Sequence, residues 1–234
     1  MDEERNSIFF KISVILNSNK TAILFLATVI LALIFLFPGV GVLFAFIVII
    51  PVIILTFKQG ILQEIGFRKP ENWGRTILTA LILGFVIEMS SQLFFSPIIE
   101  YFTKVEIDLS EMDPLRGNLT NYFIMMIVGW IAGGVMEEIV FRGFLITRLK
   151  KVFGEHPASL ILILLISSIP FGLAHQYQGA AGMWSTGLIA IILGIIFIKN
   201  NYNLWLPILT HGFINTVGMS LIYFNWDIQL INLI

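Results

Sequence analysis

Apolar residues run along this chain in long unbroken stretches, without the alternation of a half-buried strand or the single stripe of a water-soluble helix. A bilayer core is spanned by about 20 apolar residues rising 1.5 Å each. Seven segments approach that length, at about 21–37, 41–57, 76–102, 120–147, 158–175, 180–198 and 203–224. The pattern predicts an all-α, polytopic membrane helical bundle of about seven transmembrane helices. Only Pro38 to Gly41 separates the first two segments, so they form a tight hairpin, or one of them is re-entrant. Between the second and third, QGILQEIGFRKPENWGR is mildly amphipathic and carries Trp73; it suits a segment lying at the membrane interface, or an ordinary basic loop. The chain has no internal repeat, which argues against inverted-repeat transporter architecture.

Composition sharpens this picture. Residues are 57% hydrophobic and 12% charged, and mean hydropathy is +0.92, whereas water-soluble domains carry about a quarter charged residues. Membrane lipid is therefore the solvent, and residues 1–234 read as one integral membrane domain. A net charge of −1 without a long basic run excludes nucleic acid as a partner. The absence of cysteine excludes disulfides, thiolate metal sites and a cysteine nucleophile. Residues 1–20 begin polar and acidic and lack a small-residue cleavage site, as expected of a retained cytoplasmic leader.

Lys and Arg favour the cytoplasmic side. With the amino terminus inside, Arg68, Lys69, Arg75, Arg148, Lys150, Lys151 and Lys199 all lie inside, leaving Lys104 and Arg116 outside. The 104–119 loop, with Glu106, Asp108, Glu111 and Asp113, then reads as a solvated external connection without a chemical role.

Ionisable groups inside these apolar runs cost about 2.5–3.5 kcal/mol each on insertion scales, so each asks for a reason. The fourth segment carries Glu137, Glu138 and Arg142 in GGVMEEIVFRG. Glu138 and Arg142, four apart, share a helix face and can neutralise each other. Glu137 projects from a neighbouring face and stays free for proton chemistry. The fifth segment ends in FGLAH, with Phe171 one turn before His175 and Pro170 beside them; the seventh carries His211 and Asn215 one turn apart. Gly129, Gly133 and Gly134 would let the fourth helix approach its neighbours closely. Glu88, with Gln92 one turn on, reads as a structural hydrogen-bonding group, and Ser167, Ser168, Ser185 and Thr210 as packing residues.

These residue types permit hydrolysis of a peptide bond, which needs an activated water, a site for the oxyanion and a proton donor for the leaving amine. Glu137 with His175 can orient and deprotonate water, while His211 and Asn215 supply N–H groups to the oxyanion. Glu137, His175 and His211 could instead ligate Zn2+, which takes three protein ligands and one water in catalytic sites. HExxH and GxSxG motifs are missing, as is an aspartate pair within the predicted helices. Co-locating His175 with His211 requires the fifth helix to end inside the membrane at a wet cavity, lined by Gln176, Tyr177 and Gln178.

The set EExxxR (Glu137 to Arg142), FxxxH (Phe171 to His175) and HxxxN (His211 to Asn215) resembles the CPBP family, the CAAX proteases and bacteriocin-processing enzymes also called Abi. The resemblance covers about residues 120–224, with the GFRKPENW stretch before the third helix also typical. It implies a CAAX-protease-like fold whose members can have eight helices, and an intramembrane endopeptidase acting on hydrophobic peptides or membrane-anchored proteins. It further implies Glu137 as general base with His175 as its partner, His211 and Asn215 as oxyanion site, Glu138 and Arg142 in support, and a metal left open. The short, Ile- and Asn-rich chain is most similar to bacterial members, in the cell membrane. Two other readings use the same residues: a non-catalytic binding, immunity or scaffold protein, and a proton-coupled transporter.

Overall fold

The computed structural model describes residues 11–12, 14–15, 18–37, 40–56 and 60–227, with backbone only for 55 and 56. The expected leader, residues 1–20, falls mostly outside them. Each of the seven apolar segments is a helix: α1 Lys20–Leu36, α2 Gly41–Thr56, α3 Trp73–Thr103, α4 Leu119–Phe153, α5 Pro157–Ala174, α6 Gly179–Lys199 and α7 Trp205–Tyr223. The described residues contain no strand. Five helices, α3 to α7, are long and apolar enough to cross a membrane, and α1 and α2 are shorter apolar helices. The protein is a multi-pass helical membrane bundle.

Asparagine starts several of these helices. Asn19, Asn72 and Asn118 accept from the backbone N–H groups of Ala22, Arg75 and Asn121 at the heads of α1, α3 and α4. These N–H groups have no partner within the helix, so a side-chain oxygen at the cap is stabilising.

The lower half of α4 is the centre of the bundle. Ile139 to Leu149 are all buried, with Val140, Phe141, Phe144 and Ile146 packed among residues of α1, α2, α5 and α6. The upper half faces lipid with Phe123, Ile127 and Ile131. Lipid tails are as apolar as Leu, so close packing and interhelical hydrogen bonds, more than burial from water, join the helices. Small residues make the contacts close: a Cβ on Gly212 of α7 would lie 2.5 Å from the Trp130 ring of α4. Gly172 of α5 lies against Met183 and Gly187 of α6 in the same way.

Two groups of loops gather at opposite ends. At one end Glu64 pairs with Arg148 (3.0 Å) and Lys151 (2.7 Å), Lys150 lies over the Tyr202 ring, and Arg68 donates to the Asn201 carbonyl. Trp73, at the head of α3, packs edge-on against Trp205, 5.1 Å between ring centres. The amphipathic stretch before α3 is thus seated on the turn before α7. At the other end Asp108 N–H donates to the Gln178 carbonyl, Gly117 N–H to that of Tyr223, and Arg116 forms a bidentate pair with Asp227 at 2.8 and 2.9 Å. Hydrogen bonding to Asp227 raises the pKa of the Arg116 guanidinium above its already high value.

Candidate functional site

Helix α4 departs from regular winding where its polar residues sit. Gly129–Glu137 and Ile139–Ile146 are wound in wider π-type turns, and a third such stretch, Ser91–Phe95, interrupts α3. Turns of this kind are frequent at functional sites.

Glu138 is fully buried and is bound from two sides. Its Oε1 accepts from Arg142 Nη1 at 2.7 Å and from His211 Nδ1 at 2.8 Å. A carboxylate only accepts here, so Nδ1 of His211 carries its proton and Nε2 is turned the other way. Nε2 lies 3.9 Å from Oε2 of Glu137. That Glu137 oxygen is buried and has no hydrogen-bond partner. Arg142 completes its own set with the Ala190 carbonyl (2.9 Å) and the face of Phe171, 4.9 Å from the ring centre.

His175 sits at the end of α5 as its cap residue, followed by a short 3-10 turn, Gln176–Gln178, and by Gly179 at φ +74°. α5 therefore stops beside the cavity instead of continuing past it. The ring stacks on Phe171 at 4.9 Å, and Nδ1 bonds the Phe171 carbonyl at 2.9 Å. A carbonyl only accepts, so Nδ1 again holds the proton and Nε2 is the free acceptor. Phe171 thereby touches Arg142, His175 and, 6.0 Å between ring centres, His211. Asn215 donates Nδ2–H to the Gly129 carbonyl at 2.9 Å. Gly133 gives it room: a Cβ there would lie 2.5 Å from Asn215 Nδ2.

Glu137, His175, His211 and Asn215 all line one cavity of about 340 Å³. Tyr177 and Gln178 line it as well, whereas Gln176 is exposed and does not. Two further sequence readings change here. The 104–119 loop is not merely solvated: Ile107, Leu109 and Met112 form part of the cavity wall. Ser185 is more than packing, since it lines the cavity and lies within 3.4 Å of Ser91 and Ser96. Hydropathy does not distinguish a loop folded over a pocket from a loop in water.

Glu137, His175 and His211, the candidate zinc donors, border one cavity. Among the described residues no three His, Asp or Glu side chains are grouped to hold a metal, and zinc needs each donor at about 2.0–2.2 Å.

Fold and cavity define a multi-pass membrane protein with a pocket, carrying several polar side chains, between its helices and the 104–119 loop. Residues 119–217, which contain all three motifs, match the family model described as Type II CAAX prenyl endopeptidase Rce1-like. The chain is also 24% identical over 180 residues to "Putative membrane peptidase YdiL" of Bacillus subtilis (strain 168), covering 76% of this chain and 69% of that protein. No solved structure matches significantly. The chain is thus similar to a CAAX prenyl endopeptidase family over residues 119–217, and over a longer stretch to a protein named as a putative membrane peptidase.

Proposed function

We propose that the protein is an intramembrane endopeptidase in which Glu137 activates water against a peptide bond of a membrane-associated peptide or protein. The observation that carries this reading is that Glu137 lines the cavity together with His175, His211 and Asn215, with its Oε2 unpartnered and 3.9 Å from His211 Nε2. A carboxylate in that position has a free acceptor site for a water proton, and the cavity gives water a place.

In the proposed sequence, a water bound between Glu137 and the free Nε2 of His175 gives its proton to Glu137 as its oxygen attacks the scissile carbonyl. The negative charge that develops on the carbonyl oxygen is met by N–H donors of His211 and Asn215. Because Nδ1–H of His211 is taken by Glu138, His211 serves as an oxyanion donor only with a second proton on Nε2. Glu137 then returns its proton to the leaving amine, which closes the cycle.

Residues 120–224 form the catalytic core in this reading, within a single membrane domain. The amino terminus faces the cytoplasm of a bacterial cell, so the end of the cavity walled by the 104–119 loop lies on the opposite side of the membrane. The direct test is cleavage of hydrophobic, membrane-anchored peptides by purified protein in nanodiscs, wild type against Glu137→Ala. Hydrolysis by wild type alone is expected; equal product from both sinks the proposal.

A further inference from the structure

The cavity reaches well beyond the four proposed catalytic residues, along α3. There Glu88 is buried to 94%, yet it forms part of the cavity lining. Gln92, one turn on, donates to its Oε1 at 2.8 Å. Oε2 has no hydrogen-bond partner among the described residues. Gly218 of α7 faces the carboxyl group, and a Cβ there would lie 3.0 Å from Oε1. The carboxyl is therefore held in place, with one oxygen anchored and the other left over.

A carboxyl group is costly at this depth and is normally matched by a partner. Glu138 has Arg142 and His211; Glu88 has only a neutral amide. The charge around it is one-sided as well. Glu88, Glu100 and Glu137 all line the cavity, and among the described residues no Lys or Arg does. Glu100 has one oxygen held by the Ile107 N–H at 2.8 Å. The surroundings of Glu88 lack a positive charge that the substrate could bring.

We propose that Glu88 is a specificity-determining residue that binds a basic side chain of the substrate peptide, with its unpartnered oxygen receiving the ammonium or guanidinium group. The substrate class is then a membrane-associated peptide carrying Lys or Arg within a few residues of the cut. This rests on the protease reading of the same cavity.

Two peptides test it, identical except for Lys or norleucine at one position, moved in turn through the residues flanking the cut. Wild type is expected to favour the Lys peptide in kcat/KM by about tenfold or more at one of these positions. The ratio should fall to near one in Glu88→Gln, and a ratio is unaffected by any general loss of activity in the variant. Binding to Glu137→Ala supplies a readout free of both catalysis and the folding of the Glu88 variant, and the same preference for Lys is expected there. No preference in wild type, or one unchanged in Glu88→Gln, overturns the assignment of Glu88. If no peptide is cleaved but Lys is still preferred in binding, the protease reading fails and the Glu88 site stands.

Discussion

His211 of α7 is held by Glu138 of α4 through a 2.8 Å bond from Nδ1 to Oε1, which leaves Nε2 directed at Glu137. One residue of the glutamate pair thus sets the direction of the imidazole and the other faces its free nitrogen. Their division of labour rests on position: Glu138 is enclosed with Arg142, while Glu137 is on the cavity wall.

Glu137→Gln keeps the size and the burial of the side chain while removing the base. Hydrolysis is expected to drop by about 10²–10⁴-fold, the usual contribution of a general base. Product formation followed by mass spectrometry, with thermal melting in detergent unchanged, checks it. A drop below tenfold would assign the base elsewhere.

Arg142→Ala leaves Glu138 buried without its cation, and such a loss costs about 3–5 kcal/mol. The thermal midpoint in detergent should fall clearly. Glu138→Leu combined with Arg142→Met removes both charges and should regain much of that stability. The double variant is nevertheless expected to be inactive, because His211 has lost the acceptor that directs it.

Asn215→Ala is expected to lower kcat by about 10²–10³-fold with little change in KM, as for removal of an oxyanion donor. Gly133→Ala should move kcat in the same direction by a smaller factor, since its Cβ would lie 2.5 Å from Asn215 Nδ2. Steady-state kinetics of both variants decide the matter; a KM effect alone would make Asn215 a binding group.

The natural chain has no cysteine, so single cysteines report topology cleanly. Glu71 and Glu111 are both exposed, at opposite ends of the bundle. An impermeant maleimide added to intact cells should label Glu111→Cys and spare Glu71→Cys. The reverse pattern would invert the proposed orientation and place the loop-walled end of the cavity on the cytoplasmic side.

Arg116 joins the loop over the cavity to Asp227, which is almost fully buried. Arg116→Ala leaves that carboxylate without its bidentate partner, a loss of about 1–3 kcal/mol. Limited proteolysis should then cut the 104–118 segment sooner than in wild type.

The helix positions were legible because a membrane span depends on length and apolarity, and all seven expected segments are helices. The i, i+4 pairing of Glu138 with Arg142 followed from spacing alone and is present at 2.7 Å. Which faces turn inward was not legible, because lipid-facing residues such as Phe123 and Ile131 are as apolar as buried Phe141 and Ile146. The wide turns of α4 were equally hidden, since one residue sequence can close its bonds at i+4 or at i+5 and packing decides between them. Glu88 was visible as an oddity, but the cavity beside it comes from α3, α4, α6 and α7 meeting, a relation no single segment encodes.

Those wide turns also set how α4 responds to a change of chain length. Ile131 is lipid-facing, and its side chain adds little to the packed interior. It lies within the first wide stretch, Gly129–Glu137, where bonds close at i+5 in place of i+4. Removing one residue there lets a wide turn tighten to ordinary winding, so that Glu138 can keep its partner on α7. The same deletion in a regular turn would rotate everything after it by about 100°. Evolution could therefore shorten the rod by a residue here at less cost than elsewhere along it.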